Sequence, residues 1–123
     1  MSKLITHIES LDNQQKEITS YLHNWLTIEY NLEAKYRFKI PFYYQNTWIC
    51  YLNPIKNDGI EINFVRAREL SAHDDVLDFR GRKMVAGLAM YDVKKIPLIS
   101  LAPVLDEAIL LDETRPYSVK KRK

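Results

Sequence analysis

The chain has 123 residues, 46% hydrophobic and 28% charged, which suits one soluble globular domain and excludes wholesale disorder. The formal charge is +2, yet five of the 18 basic residues (Arg115, Lys120, Lys121, Arg122 and Lys123) crowd the last nine positions. The remaining body sets 13 basic residues against 16 acidic ones, so no global field drives it toward nucleic acid or membrane.

Cys50 is the only cysteine, which excludes an intrachain disulfide and a four-cysteine zinc site and suits a reducing cytoplasm. The opening MSKLITHIESLD lacks an apolar core of signal-peptide length, and no run approaches a membrane span, so no membrane partner is expected. Residues 10–30 read as an amphipathic helix. At 100° per residue Leu11, Ile18, Tyr21, Leu22, Trp25, Leu26, Ile28 and Leu32 share an arc of about 160°, opposite Lys16, Ser20, His23, Asn24 and Thr27. Ser10 or Asp12 suits the N-cap and Asn31 a left-handed stop.

The period then changes to two. KYRFKI predicts a strand with Tyr36, Phe38 and Ile40 inward and Lys35, Arg37 and Lys39 outward, interrupted at Pro41 before FYYQ resumes. TWICYL sets Trp48, Cys50 and Leu52 on one face and Ile49 and Tyr51 on the other. Asn57–Asp58–Gly59 is the strongest hairpin turn, and IEINFV follows with Ile60, Ile62 and Phe64 inward, Glu61 and Asn63 outward. Residues 68–82 are polar with scattered apolar anchors, and MVAGLAMY reads as a last strand. Leu98, Leu101, Ala102, Leu105, Ala108 and Ile109 follow helical spacing, with Pro97 in the first turn and Pro103 expected to kink or divide the helix. Residues 1–114 therefore read as one α+β domain, an antiparallel sheet of four to five strands with N- and C-terminal helices packed on one face, followed by a basic tail at 115–123.

KYRFKIPFYY, WICYL, GIEINF and LDFRGRKMVAGL together resemble the YdhG-like family of small bacterial domains, over about residues 12 to 113. The resemblance implies an antiparallel sheet with helices to one side. It departs from the family's Phe–x–x–Gly pattern, since Ala67 follows Phe64 where glycine is usual. One member is described as a frataxin-like iron chaperone, which implies, as the alternative function, an iron carrier for cluster or haem assembly.

Three constellations invite chemistry. His73, Asp74 and Asp75 are the metal candidates for that iron alternative, although adjacent residues rarely converge on one ion, and a loop capping a short helical turn accounts for them. Arg80–Gly81–Arg82–Lys83 can hold an anion but lacks the length and final hydroxyl of a P-loop, so a solvated turn accounts for it. Lys35, Arg37 and Lys39 alternate with aromatics that point the other way, which argues against nucleic acid on that strand; the basic tail is left as a weak nucleic-acid binder. Tyr43, Tyr44, Trp48 and Tyr51 cannot all face one helix layer, so the second sheet face is either partly closed or an aromatic patch. Cys50 reads as a buried hydrophobe, and no catalytic constellation or cofactor follows from the residues. The expectation is a non-catalytic cytoplasmic module that binds a small ligand or protein partner, with room for a homodimer. Its ligand residues are Tyr43 and Trp48 as apolar walls and Arg66, Arg82 and Lys83 as charge donors.

Overall fold

The computed structural model describes residues 2–71 and 76–115. Helices α1 (Lys3–Ser10) and α2 (Asn13–Asn24), the latter running into a π-turn at Trp25–Glu29, precede five strands: β1 (Glu33–Arg37), β2 (Ile40–Tyr44), β3 (Trp48–Ile55), β4 (Gly59–Phe64) and β5 (Ala86–Met90). Helix α3 (Leu98–Thr114) is the last described element, and short 3-10 turns lie at Ala67–Glu69 and Val93–Lys95. The strands form one antiparallel meander in sequence order, so the expected α+β class and five-strand sheet are found. None of the helices among the described residues is long and apolar enough to cross a membrane.

One face of the sheet carries Cys50, Leu52, Ile60, Ile62 and Phe64, which join Ile18, Leu22 and Leu26 of the N-terminal helices and Leu101, Val104, Leu105 and Ala108 of α3 in a single buried core. The expected single helix over 10–30 is instead divided. The chain is extended at Leu11 and Asp12, and the π-turn adds a residue to the last turn. That extra residue rotates the apolar arc, so Ile28 is 72% exposed while Leu26 is fully buried. Asn31 supplies the left-handed stop at φ 57°.

The strand expected at 35–40 is a hairpin. Phe38 and Lys39 both take left-handed φ (53° and 67°), which turns the chain in two residues and pairs Arg37 with Ile40. Phe38, expected inward, is 78% exposed at the tip. Pro41 does not break β2; it lies opposite Tyr36 but beyond the last β2–β3 pair, Phe42 with Tyr51, where no ladder donor is called for. A second correction comes from a bulge. Tyr43 pairs with Cys50 but Tyr44 with Trp48, so Ile49 is the extra residue. Ile49 joins the core and Trp48 turns to the opposite face, the reverse of strict alternation. Pro103 lies inside α3 and neither divides nor ends it.

Two carboxylates fasten helices to hairpins. Asp12 is the backbone N-cap of α2 but makes no capping bond. Asp58, in the β3–β4 turn, accepts from the Gln14 and Gln15 amides at 3.0 and 3.3 Å instead. Asp112 of α3, 2% exposed, accepts from the Asn46 amide at 2.7 Å, the Thr47 amide at 3.1 Å, Gln45 Nε2 at 3.2 Å and the Thr47 hydroxyl. Replacing Asp112 by Ala leaves these donors unanswered in a buried place, so urea denaturation should show a loss of about 3 kcal/mol, with Asp112→Asn roughly half as costly.

His23, expected on the solvated side, is half-buried with Nδ1 2.8 Å from the Tyr43 hydroxyl. Burial holds its imidazole, and that of His7, below the ordinary 6.5. The unfolded chain therefore binds protons that the folded one refuses, so stability is full above pH 6.5 and declines as pH falls below it. Urea midpoints at pH 7.5 and 5.5 (about two units spanning the window) should show this fall, reduced in His23→Gln and not fully abolished, because His7 contributes with the same sign.

Candidate functional site

The sheet face away from the helices is built from rings, cations and one buried carboxylate. The two-residue turn at Phe38–Lys39 sets Lys35 opposite Phe42, and β3 continues that row with Tyr51. The bulge at Ile49 brings Trp48 and Tyr44 alongside. Phe42 is the floor at 9% exposure and stands outside the helix-side core. It stacks on Tyr51 at 4.7 Å and meets Trp48 edge-on at 5.3 Å, while Trp48 meets Tyr44 at 5.1 Å. Phe38 adds a fifth ring, 5.5 Å from Phe42. A bulky residue at positive φ costs on the order of 1–2 kcal/mol, so packing holds this ring in place against a backbone preference.

Lys35 and Arg37 lie on the same face. Lys35 Nζ is 4.3 Å from the Tyr44 ring centre, and the Arg37 guanidinium is 5.5 Å from that of Trp48. Lys35 has Glu33 at 4.0 Å, and Arg37 has no carboxylate within 4.0 Å among the described residues. Tyr36 does point away, toward His7 of α1. The aromatics that share the cations' face come from β2 and β3, which alternation within one strand does not reveal.

Farther across the face, β4 is buried along its whole length. Glu61 and Asn63, expected outward, face away from the helices yet are only 3% and 1% exposed. The turn Phe79–Arg82 explains this. Arg80 and Gly81 take φ of 50° and 81°, and the Arg82 amide closes the turn on the Phe79 carbonyl at 2.9 Å. Arg80 then reaches Glu61 at 2.8 Å and Arg82 at 3.7 Å, while Asn63 Nδ2 donates to Glu61 at 3.2 Å. Asn63 Oδ1 has no hydrogen-bond partner and lies against Gly87; a side chain at 87 would also meet the Ile62 carbonyl at 2.6 Å. The basic turn thus neutralises a buried carboxylate, and beside it a broad groove of about 1030 Å³ is bordered by Pro54, Ile55, Glu61, Arg80, Ala89 and Tyr91.

The five expected ligand residues do not converge. Tyr43 is fully buried on the helix side, where burial also raises its hydroxyl well above the ordinary tyrosine value. Trp48 belongs to the ring cluster. Arg66 is held by Glu69 at 2.9 Å and by the Arg115 carbonyl at 2.6 Å. Arg82 faces Glu61, and the Lys83 carbonyl accepts from Arg68 Nε at 2.9 Å. Trp48 and Arg66 border one small cavity with Asp112, but its roughly 10 Å³ holds a single water. The Arg66 hydrogen bond, reinforced by Arg115, holds the Glu69 carboxyl below the usual range.

His73, Asp74 and Asp75 lie outside the described residues, as does the tail from 116 onward. Among the described residues no three His, Cys, Asp or Glu side chains come close enough to share a metal ion. Cys50 is fully buried and its thiol is pushed far up by burial, which leaves it no nucleophilic thiolate. No family model, no curated protein and no solved structure matches the chain.

The arginine cover is testable in isolation. Arg80→Met should cost about 1 kcal/mol in urea denaturation, because Arg82 alone is left near Glu61 and the Arg80 side chain is half exposed. In a Glu61→Leu background the same change should cost less than half as much, since no buried charge remains to be neutralised.

Proposed function

We propose that the protein is a non-catalytic, cytoplasmic binding module of the YdhG-like kind, and that it engages its partner through the ring-bearing face of the sheet. The observation that carries this reading is the juxtaposition of five rings with two cations on the sheet face opposite α1, α2 and α3. A rigid aromatic surface of this kind offers large contact area with little side-chain entropy to lose. The fixed arginines at Glu61 and the buried Tyr43 move the binding surface away from the Arg66–Arg82–Lys83 set and onto Lys35, Arg37, Tyr44, Trp48 and Tyr51.

Two-dimensional NMR with naphthoate and phenyl phosphate as probes tests the reading. Shift changes should gather at the Lys35, Tyr44, Trp48 and Tyr51 amides and leave Ala67–Leu70 unmoved. Changes confined to other surfaces, or none at millimolar probe, would remove the sheet face as the binding surface.

A further inference from the structure

We infer that the ring-bearing face binds single-stranded nucleic acid, a proposal that rests on the reading of this face as the binding surface. The ligand has to supply planar apolar groups and negative charge together, at close spacing. Tyr44, Trp48 and Tyr51 are partly exposed above the Phe42 floor, and every nucleobase has a face that stacks on such rings. Lys35 and Arg37 sit within 6.0 Å of ring centres, so a base on the rings leaves its phosphate beside a cation. Among the described residues Arg37 has no carboxylate within 4.0 Å, and Lys35 has only Glu33 at that limit, so their charge is available to a phosphate.

Extent separates a strand from a mononucleotide. The available cations run along one margin of the face: Lys35 and Arg37 on β1, with Lys39 in the turn beyond. Lys35 and Arg37 are two residues apart, about 7 Å along β1, and the ring-bearing strands β2 and β3 lie one and two gaps of about 4.8 Å away, so the face meets more than one phosphate and more than one base together. A duplex hides its bases from such a surface. An apolar protein partner would bury Arg37 without a counter-charge, and an acidic peptide would leave the rings unmatched.

Fluorescence anisotropy with labelled oligo-dT and oligo-rU of about 12 nucleotides, and with a duplex of equal length, tests this on the full chain. The single strands should bind more tightly than the duplex, and raising salt from about 50 to 200 mM should weaken binding about tenfold, as two to three phosphate contacts imply. Trp48→Ala should weaken binding at least about tenfold. Lys35→Glu/Arg37→Glu, at exposed or half-exposed positions that spare the fold, should abolish it. Replacing Lys120, Lys121, Arg122 and Lys123 by Gln should change affinity little. Binding that survives the face variants but is lost with the tail changes assigns it to the tail and overturns the proposal. So does equal competition by polyglutamate, which would mean charge alone is read. If no oligonucleotide binds while naphthoate still shifts the face, nucleic acid is excluded and the sheet-face reading stands; if both fail, both fall.

Discussion

Helices α1, α2 and α3 all pack on one side of a five-strand sheet, and the other features of the molecule answer that constraint. A central strand cannot leave half its residues in water when its neighbours and the adjoining turn crowd it, and β4 is buried at every position. On the helix side Ile60, Ile62 and Phe64 meet the constraint by ordinary apolar packing. On the other side the sequence supplies Glu61 and Asn63, and an unpaired buried carboxylate would be among the most costly groups a small domain could hold. The left-handed turn at Arg80–Gly81 exists to bring two guanidinium groups over it. Toward β1, where no such turn reaches, rings close the same face by packing on one another.

Rigidity of that face depends on the layer beneath it. Asp58 ties the β3–β4 turn to the start of α2, and Asp112 ties the β2–β3 turn to the end of α3. Gln14 and Gln15 extend the first tie, accepting from the Val93 amide and donating to the Ile55 and Gly59 carbonyls. In both ties a carboxylate satisfies backbone donors which no ladder or helix bond reaches, at the start of α2 and in the β2–β3 turn against α3. β3, which carries Trp48 and Tyr51, is held at both its turns and β2, which carries Phe42 and Tyr44, at the turn they share, so the ring cluster is preorganised before any partner arrives.

Much of this was legible in the chain itself. Period-two alternation located IEINFV, the small-residue run MVAGLAMY held the last strand, helical spacing located α3, and Asn31, Asn57 and Asp58 marked left-handed turns by their chemistry. Gly59 was read as part of the same turn but is the first residue of β4, where the Tyr91 ring lies 2.5 Å from the place a Cβ would take. The misreadings share one cause, since local pattern carries no information about partners distant in sequence. Phe38–Lys39 contains no residue that favours positive φ, so the hairpin is imposed by pairing rather than by propensity. The bulge at Ile49 and the π-turn at Trp25–Glu29 each insert one residue into a regular period and reverse or rotate the face that follows. Asp58 and Asp112 act across 43 to 67 residues, beyond any capping rule.

The candidate face follows from those same irregularities. Without the turn at Phe38–Lys39, Lys35 would not lie opposite Phe42; without the bulge, Trp48 would enter the helix-side core and leave Arg37 only the Phe38 ring, 5.8 Å away. A cation over a ring is already part-way to the bound arrangement. Its charge is oriented and partly desolvated, yet a ring quadrupole repays only about 0.5–1 kcal/mol at an exposed site, less than a phosphate oxygen returns through a charge-assisted hydrogen bond. Exchange of ring for phosphate is therefore downhill at Lys35 and Arg37. At Arg80 and Arg82 it is not, because the carboxylate they would abandon is buried. The same residue types thus divide into a fixed pair that completes the fold and an available pair that can turn outward.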